Sequence, residues 1–372
     1  MKRMEISRSK EPMILKDIDT IPKPPKGGVT VKTAFCGICH SDVHFFDDEF
    51  DIGRGIFLKT QDLIPNVEYP IVLGHEISGT VHAIGEEADN TDLKVGDRVI
   101  VYPWLACGNC GYCNGGQGNI CCGQSNYIGC TGPNGGYSEY IEITDPKYVL
   151  KVPDNIPLDI AAMLPCSTLT GYNAVSKVKP TVERFMNAQG KATLLIIGAG
   201  GLGLWCLQTA RAVLPRGTRI IISDISQPKL ENALAHGADD TVLWDPSLSK
   251  EDVINKTKAK GSDGSVQAVI DFVNSTETSA RAMGALSKGG TIAMVGLFGG
   301  SLEISLPLFA FLHQQIQGVL VGSLEQLKEL VQLASNTKLK PPEISHVKLE
   351  EVQEILIKLR RGEITGRTLV KF

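Results

Sequence analysis

The sequence predicts an α/β protein with two domains, one β-rich with long loops and one built on a doubly wound parallel sheet. Its 372 residues exceed what a single hydrophobic core of ordinary size accommodates. Residues 1–168 are rich in Gly, Pro and short β-branched runs, whereas strand-like and helical stretches alternate over 169–322. The change in pattern predicts a domain boundary at residue 168.

Each domain has its own predicted elements. The runs VTVKTAF (29–35), HEISGTVHAIG (75–85) and DRVIVYP (97–103) predict strands of a mostly antiparallel sheet. The second domain has six predicted strands, at 193–198, 219–224, 240–244, 266–273, 290–296 and 317–322. Their alternation with helices predicts parallel strands with helices on both faces. The helical segments within 323–372 are expected to complete the first domain.

Composition and charge exclude several classes of protein. Hydrophobic residues make up 42% and charged residues 21%, values typical of globular proteins. The net charge of −4 and pI near 6.0 predict no basic face for nucleic acid. The N-terminus MKRMEISRSKEP has no apolar export segment, and no run approaches the roughly 18 apolar residues of a membrane span. We therefore expect a cytoplasmic protein with neither membrane nor nucleic acid as a partner.

Four of the ten cysteines have metal-ligand spacing. Cys107, Cys110, Cys113 and Cys121 follow the pattern C-x2-C-x2-C-x7-C in a Gly- and Asn-rich loop. Four thiolates close a tetrahedral shell around Zn²⁺, so this loop predicts a structural zinc site. An iron–sulfur cluster also takes four cysteines, but its usual spacings differ. Cys122 is a spare thiol beside the fourth ligand.

The segment GAGGLG follows the predicted strand TLLII and opens a helix. In that context the pattern predicts a dinucleotide-binding turn, whereas alone it would be an ordinary glycine turn. Asp224 ends the next strand, about 20 residues on, and favours NAD over NADP because a carboxylate repels a 2′-phosphate. The expected coenzyme-binding positions of the turn are Gly198, Gly200, Gly201, Leu202 and Gly203.

A third constellation is spread over distant segments. Cys39 in CGICHSD, His75 in GHE and Cys166 in LPCSTLTGY are each suitable zinc ligands. Three protein ligands with a fourth position open are typical of a catalytic zinc. Two zinc ions per chain are therefore expected, one closed and one open.

Together these motifs resemble the zinc-dependent alcohol dehydrogenases of the medium-chain dehydrogenase/reductase (MDR) superfamily. The resemblance runs from CGICHSD to a closing GR-x-L at 366–369. It implies a GroES-like catalytic domain and a Rossmann coenzyme domain with the active site in the cleft between them. It also implies reversible NAD-linked oxidation of alcohols to aldehydes or ketones, by hydride transfer from a zinc-bound alkoxide.

The resemblance also implies roles for single residues around the catalytic zinc. Cys39, His75 and Cys166 match its ligands. Asp42 matches an acid that orients His75, and Glu76 matches a carboxylate near the metal. Ser41 matches the hydroxyl that passes the alcohol proton on, and His44 matches the end of that relay; from sequence alone Ser41 could instead cap a helix and His44 could be a solvated loop residue.

Three further positions match coenzyme contacts. His40 and Arg367 match residues that meet the pyrophosphate, and Lys229 matches a basic residue near the adenosine ribose. Trp104 is expected either at the pocket wall or in the core.

The segment 47–70 departs from the family pattern by about a dozen residues, an unusual length for a connection with no evident structure. It is interpreted either as a border of the cleft or as a surface insertion.

Two alternative functions remain open at this point. A polyol dehydrogenase of the same superfamily shares both domains, and a noncatalytic nucleotide-binding protein could retain the fold. The intact ligand and coenzyme motifs count against the noncatalytic protein. By resemblance, Cys166 counts against the sorbitol type, whose corresponding ligand tends to be a glutamate, and a sugar alcohol substrate stays open. The segment SLEISLPLF (301–309) resembles the edge strand through which family members pair their coenzyme domains, and the resemblance implies a homodimer or homotetramer.

Overall fold

The structure, a computed structural model, describes residues 1–64, 67–88 and 91–372. The chain forms two domains, each around its own sheet, and the predicted fold class is confirmed. Within the described part of the chain, no helix has the length and apolar character needed to cross a membrane.

The coenzyme domain contains a six-stranded sheet in which every pairing is parallel. From edge to edge its strands are Asp240–Leu243, Arg219–Asp224, Thr193–Ile197, Val266–Asp271, Leu286–Met294 and Gln315–Gly318. Its helices are Leu169–Gln189, Gly201–Val213, Gln227–Ala235, Lys250–Lys260, Thr276–Ala285 and Leu306–Leu312. The strand order reverses beside Thr193–Ile197, and ligands of doubly wound sheets bind at such a point.

The central strand Thr193–Ile197 explains why this sheet is stable. All five residues are buried, and their side chains alternate between two cores. Leu194 and Ile196 pack on one face, Leu195 and Ile197 on the other. A parallel strand covered by helices on both faces has this continuous apolar character. Truncating one of these side chains to alanine is expected to cost about 2–5 kcal/mol of the free energy of unfolding.

The catalytic domain contains a seven-stranded, mainly antiparallel sheet. Its main path runs through Val149–Lys151, Arg98–Val101, Glu76–Ile84, Val29–Gly37, Arg367–Lys371 and Ile344–Val347, with Tyr140–Ile143 also paired to Val29–Gly37. The domain also has three short two-stranded pairings: Lys2–Glu5 with Ile14–Asp17, Phe50–Asp51 with Phe57–Leu58, and Trp104–Leu105 with Asn126–Tyr127. Because Arg367–Lys371 pairs with Val29–Gly37, the C-terminal segment returns to the sheet of the N-terminal part.

The helices of this domain are short, apart from two in the C-terminal segment. They are His40–Asp47, Thr60–Leu63, Gly111–Asn114, Leu158–Met163, Leu324–Asn336 and Val352–Arg360. A π-helical turn, Leu164–Thr168, joins Leu158–Met163 to the long helix Leu169–Gln189. It carries Cys166, and such wide turns occur frequently at functional sites.

Three expectations are corrected. The segment 301–309 is not an edge strand: residues 301–305 lie outside regular structure and Leu306–Leu312 is a helix. Pro307 in its first turn favours the helix and cannot donate to a strand ladder. The last strand is Gln315–Gly318 rather than 317–322. The strand predicted at 290–296 is Leu286–Met294, with a register shift where it pairs with Val266–Asp271.

The segment 47–70 also differs from the expectation of an unstructured connection. It contains the hairpin Phe50–Asp51 with Phe57–Leu58 and the helix Thr60–Leu63. Pro65 and Asn66 of this segment lie outside the described residues.

Candidate active site

The three dispersed candidate ligands are brought together by strand pairing and by the π-helical turn. Cys39 follows the strand Val29–Gly37, and His75 precedes the strand Glu76–Ile84. These two strands pair with each other, and Gly37 lies opposite Glu76. Cys166 comes from the π-helical turn. One ligand atom of each residue lies within 4.8 Å of the others, and all three residues are buried. This spacing suits one metal ion at the centre of the three atoms.

The imidazole of His75 is held in a defined orientation by Asp42. Its Nδ1 lies 3.1 Å from Asp42 Oδ1, and the other carboxylate oxygen accepts from the backbone N–H of Cys39 (2.9 Å) and the hydroxyl of Tyr137 (2.8 Å). A carboxylate can only accept, so Nδ1 carries the hydrogen. Among the described residues, His75 Nε2 is buried without a hydrogen-bond partner. An orphaned imidazole nitrogen beside two cysteines fits a zinc ligand.

The electrostatics of this cluster favour positive charge. Burial lowers the pKa of His75, but Asp42 and Cys166 outweigh it and the net effect raises that pKa well above its usual value. A hydrogen bond from Cys166 holds the pKa of the Cys39 thiol well below its usual value, whereas the pKa of Cys166 is raised by the same interaction. The surroundings of the site therefore favour a thiolate at Cys39 and positive charge beside Asp42, as a pocket suited to a metal cation should.

Glu76 and Arg367 connect this cluster to the coenzyme domain. The Glu76 carboxylate is fully buried, accepts from the Ser167 backbone N–H at 3.1 Å and forms an ion pair with Arg367. Burial raises the pKa of Glu76, although Arg367 opposes the shift. The side chain of Arg367 packs so closely on Gly201 that a Cβ there would overlap its Cδ. Arg367 thus lies beside the expected phosphate turn with its guanidinium directed to Glu76.

The helix His40–Asp47 carries the residues of the expected proton relay. Ser41 Oγ lies 3.7 Å from Cys39 Sγ, and the His44 ring lies one turn along, 5.4 Å from the ring of Phe50. No direct hydrogen bond joins Ser41 to His44 in the described chain. Burial and the neighbouring His40 lower the pKa of His44, and burial also lowers that of His40, with contributions from Arg367 and Lys229.

His44 opens onto a cavity of about 680 Å³ at the edge of the cleft. Its other walls come from residues of both domains: Lys10, Phe46, Asp47, Glu49, Asp51, Phe57, Phe298 and Arg360. His44 therefore lines a cavity large enough for water, whereas Ser41 lies beside Cys39 of the buried cluster.

The glycine turn joins the strand Thr193–Ile197 to the helix Gly201–Val213. Gly200 occupies the N-cap position of the helix Gly201–Val213, and a side chain there would meet no neighbouring atom within 4 Å. At Gly203 a Cβ would overlap the Gly198 carbonyl oxygen. Only glycine at this position therefore permits the close approach of the helix to the end of the strand. The free N–H groups of this helix end, with Leu202 in its first turn, suit a pyrophosphate.

Asp224 is the last residue of the neighbouring strand, Arg219–Asp224, at the same edge of the sheet. Its carboxylate accepts from the backbone N–H groups of Ala199 (2.7 Å) and Ser226 (2.9 Å). Lys229 lies in the first turn of the next helix, Gln227–Ala235. Asp224 thus links the glycine turn to the loop that follows its own strand. Both of its carboxylate oxygens can accept a further hydrogen bond.

The four-cysteine loop forms a second, more exposed cluster. Ligand atoms of Cys107, Cys110, Cys113 and Cys121 all lie within 4.8 Å of one another. Backbone N–H groups of Cys113 and Cys122 lower the pKa of Cys110 to about 5, and Cys121 Sγ accepts from the N–H of Cys107 at 3.4 Å. Four sulfurs already supported by backbone donors fit a closed tetrahedral zinc shell.

Comparisons with known proteins agree with this geometry. Residues 25–154 match the family model of the alcohol dehydrogenase GroES-like domain, and residues 201–336 match that of the zinc-binding dehydrogenases. The NAD-dependent alcohol dehydrogenase of Sulfurisphaera tokodaii is 35% identical over 371 residues, covering 100% of this chain and 99% of the relative. The chain belongs to the zinc-dependent alcohol dehydrogenases of the MDR superfamily.

Other members of this family extend the comparison. An alcohol dehydrogenase of Geobacillus stearothermophilus is 30% identical over 376 residues, covering 100% of this chain and 99% of the relative. The crystal structure of the alcohol dehydrogenase of Aeropyrum pernix superimposes with a TM-score of 0.84 at 27% identity, covering 100% of both chains. The protein is accordingly an oxidoreductase of a zinc-binding, NAD-dependent family.

Sequence reasoning missed several groups around the active site of this alcohol dehydrogenase. Tyr137 donates to Asp42, the Ser167 backbone N–H donates to Glu76, and Cys130 is a buried thiol near His75. None of these residues belongs to a motif with a diagnostic spacing, because each is far in the chain from the residue that it lies beside. Trp104 is half-buried with its ring 6.4 Å from that of His75, so it borders the site.

Proposed function

We propose that this enzyme catalyses the reversible NAD-linked oxidation of a small alcohol to an aldehyde or ketone, with a catalytic zinc held by Cys39, His75 and Cys166. The observation that carries the proposal is the convergence of these three ligand atoms within 4.8 Å, with the buried Nε2 of His75 free to bind. Zinc bound there supplies a Lewis acid with an open position, which lowers the pKa of a hydroxyl beside it as it lowers that of water from 15.7 to about 7.

The residues around this site divide the remaining work. Asp42 keeps Nδ1 of His75 protonated and Nε2 directed to the metal position. Glu76 follows His75 in the chain and offsets the charge of Arg367, whose aliphatic stem supports the glycine turn at Gly201. The pair thereby fixes the distance between the metal position and the phosphate turn.

The proton of the alcohol would pass to Ser41 Oγ as the Ser41 hydroxyl releases its own proton outward, and His44 would be the final acceptor. Ser41 lies beside the ligand Cys39, and His44 lies on the cavity at the cleft edge. The lowered pKa of His44 keeps its imidazole neutral near pH 7 and able to accept a proton.

NAD bound along the parallel sheet supplies the hydride acceptor. The N–H groups of Gly201, Leu202 and Gly203 would hold its pyrophosphate, with His40 contributing from the catalytic domain. Asp224 would accept from the adenosine ribose, with Lys229 beside it, which favours NAD over NADP.

We propose a second zinc ion at Cys107, Cys110, Cys113 and Cys121, so that each chain holds two. A closed set of four sulfurs leaves no position for substrate, and the loop lies at the domain surface. Its function is then to fix the loop that continues into the hairpin of Trp104–Leu105 and Asn126–Tyr127.

We further propose that the chain forms a homodimer or homotetramer. Leu306, Leu308 and Phe311 of the helix Leu306–Leu312 are 73%, 55% and 79% exposed, beside the sheet-edge strand Gln315–Gly318. Such an apolar surface at a sheet edge suits an interface with a second copy. Light scattering tests this proposal: Phe311→Glu should lower the mass to that of a monomer, and an unchanged mass would contradict it.

Domain limits at residues 168 and 322 accord with the sheets, because strands of the parallel sheet lie within 193–318. A cytoplasmic location accords with the cysteines. Within the described residues all ten are free thiols, which a reducing compartment preserves.

The direct test of the activity is absorbance at 340 nm with NAD and a panel of primary, secondary and sugar alcohols. The proposal predicts reduction of NAD by a simple alcohol, a weaker response with NADP, and loss of the signal after removal of zinc. A preference for sugar alcohols would assign a polyol dehydrogenase. No reduction of NAD with any alcohol, and no oxidation of NADH with any carbonyl compound, would contradict the proposal.

A further inference from the structure

The hairpin inside the segment 47–70 is a firmly held element of the catalytic domain. At its base the buried Asp48 carboxylate accepts from the Thr60 backbone N–H (2.9 Å) and the Ser9 hydroxyl (2.6 Å). At its turn the Asp51 carboxylate accepts from the Gly53 N–H at 2.7 Å, and Ile56 N–H donates to the Gly53 carbonyl at 3.1 Å. Hydrogen bonds at both ends fix the position of the tip.

The tip of this hairpin touches the coenzyme domain. A methyl group on Gly53 would lie 2.5 Å from the carbonyl oxygen of Gly300, and one on Gly299 would lie 2.6 Å from Asp51 Cβ. Both separations are far below van der Waals contact, so the two backbones meet directly and only glycine permits it. Gly53 is buried by this contact although it lies at a hairpin turn.

The receiving loop follows the strand Leu286–Met294, at the carboxyl edge of the parallel sheet where the coenzyme is expected to bind. It is fixed within its own domain: Phe298 N–H donates to the Val273 carbonyl (3.2 Å), and Ser301 N–H donates to Thr276 Oγ1 (3.0 Å). The contact therefore joins two fixed elements across the cleft, beside the cavity that His44, Phe57 and Phe298 line.

We propose that Asp51, Gly53, Gly299 and Gly300 form an interdomain clasp that must open before coenzyme leaves. The hairpin belongs to the domain that binds zinc and the loop to the domain that binds NAD, so any widening of the cleft separates them. This inference rests on the proposed function for the identity of the coenzyme, and it adds a role for the segment that distinguishes this chain from its family pattern.

The experiment compares two alanine variants of the same turn. Gly53 and Gly55 both have positive φ, +87° and +72°, so alanine strains the backbone at either position. A methyl group at Gly53 would press on Gly300, whereas one at Gly55 has no neighbouring atom within 4 Å. The readout is the rate of NADH dissociation, measured by stopped-flow fluorescence. Gly53→Ala should raise this rate by about fivefold, since loosened contacts act mainly on dissociation, and Gly55→Ala should match wild type.

Hydrogen exchange of the coenzyme-free protein gives a readout that does not depend on the proposed function. Gly53→Ala should accelerate exchange of the amides of Phe298 and Ser301, which lie in the other domain, and Gly55→Ala should not. If wild type binds no NADH, the proposed function fails while the exchange comparison still tests the clasp. If Gly53→Ala does not fold, Thr276→Val loosens the loop from the other side and should give the same two changes. Equal exchange and equal dissociation in the variants and wild type would overturn the clasp.

Discussion

The two cysteine sites of this enzyme differ in where their ligands come from. The exposed site takes four sulfurs from one loop, Cys107 to Cys121, and local backbone N–H groups support them. The buried site takes Cys39, His75 and Cys166 from three distant segments, and side chains from other elements support them. A local site can form wherever its loop forms, whereas the dispersed site exists only once the catalytic domain has folded.

The same difference separates their expected functions. Four sulfurs saturate a tetrahedral ion, so the exposed site should contribute stability. Three ligands leave one position, and burial strengthens every charge interaction there, so the buried site should contribute turnover. Changes at the two sites should therefore affect different measurements.

The largest expected effect is that of Cys39→Ala on turnover. The change removes a ligand of the open site, and the lost metal contribution of several kcal/mol corresponds to about a thousandfold or more in rate. Elemental analysis should fall from two zinc ions per chain to one. Cys36→Ala is the matched control, a buried cysteine nearby that is not a proposed ligand, and it should keep both zinc ions. A Cys39→Ala enzyme with two zinc ions and wild-type turnover would refute the assignment.

Asp42→Asn should have the next largest effect. The neutral amide replaces the negatively charged carboxylate that accepts the hydrogen bond from His75 Nδ1, so it holds the ring less firmly. Zinc affinity at the buried site should fall by about 10- to 100-fold, as measured by competition with a chelator. Tyr137→Phe removes another partner of Asp42 and leaves the carboxylate itself, so its effect should be smaller. Equal affinities for wild type and Asp42→Asn would show that the carboxylate does not orient the ligand.

Whether a site could be predicted from the sequence depends on whether its residues lie close together in the chain or come from distant segments. Spacing alone predicts the four-cysteine loop, and spacing together with the flanking strand and helix predicts the glycine turn, because the residues of each motif lie close together in the chain. Cys39, His75 and Cys166 became a set through resemblance to a family, since spacing says nothing about strands that pair far along the chain. Contacts from the side, such as Tyr137 to Asp42, had no sequence signal.

One expectation drawn from the family resemblance met a competing physical effect. The resemblance implied an edge strand at 301–309, but Pro307 favours a helix and the edge of the sheet is taken by Gln315–Gly318. The contact of Arg367 with the coenzyme pyrophosphate stays a prediction; the structure adds that its guanidinium pairs with the buried Glu76 while its stem lies against Gly201. A buried carboxylate requires a cationic partner, and only the fold identifies which one it is.

His44→Gln should sharpen the comparison through the pH profile of turnover. His44 accepts a proton only when neutral, and its lowered pKa means that wild type stays active to a lower pH than an ordinary imidazole, with a pKa of about 6.5, would allow. In His44→Gln turnover should be about tenfold slower near pH 7, where the wild-type imidazole is neutral and can accept a proton, and the step due to His44 should vanish, with zinc content unchanged. His82→Gln changes an exposed histidine elsewhere in the domain and serves as the control. A profile identical to wild type would remove His44 from the relay.

The smallest expected effect on turnover is that of Cys110→Ala. One zinc ion should be lost and the melting temperature should fall by about 5–10 °C, while turnover of the folded enzyme at 25 °C stays near that of wild type. Cys122→Ser, which alters the adjacent exposed thiol, should change neither quantity. If Cys122→Ser lost the zinc instead of Cys110→Ala, the ligand set of the loop would need revision.

The central claim is that a zinc ion with one open position occupies the buried site. Anomalous diffraction at the zinc edge from crystals of the enzyme tests it most directly. The account predicts two peaks per chain, one among the four sulfurs of the loop and one bonded to Cys39, His75 and Cys166 at about 2.0–2.3 Å, with its fourth position facing the cleft. A peak confined to the loop, or a buried ion with a fourth protein ligand, would contradict it.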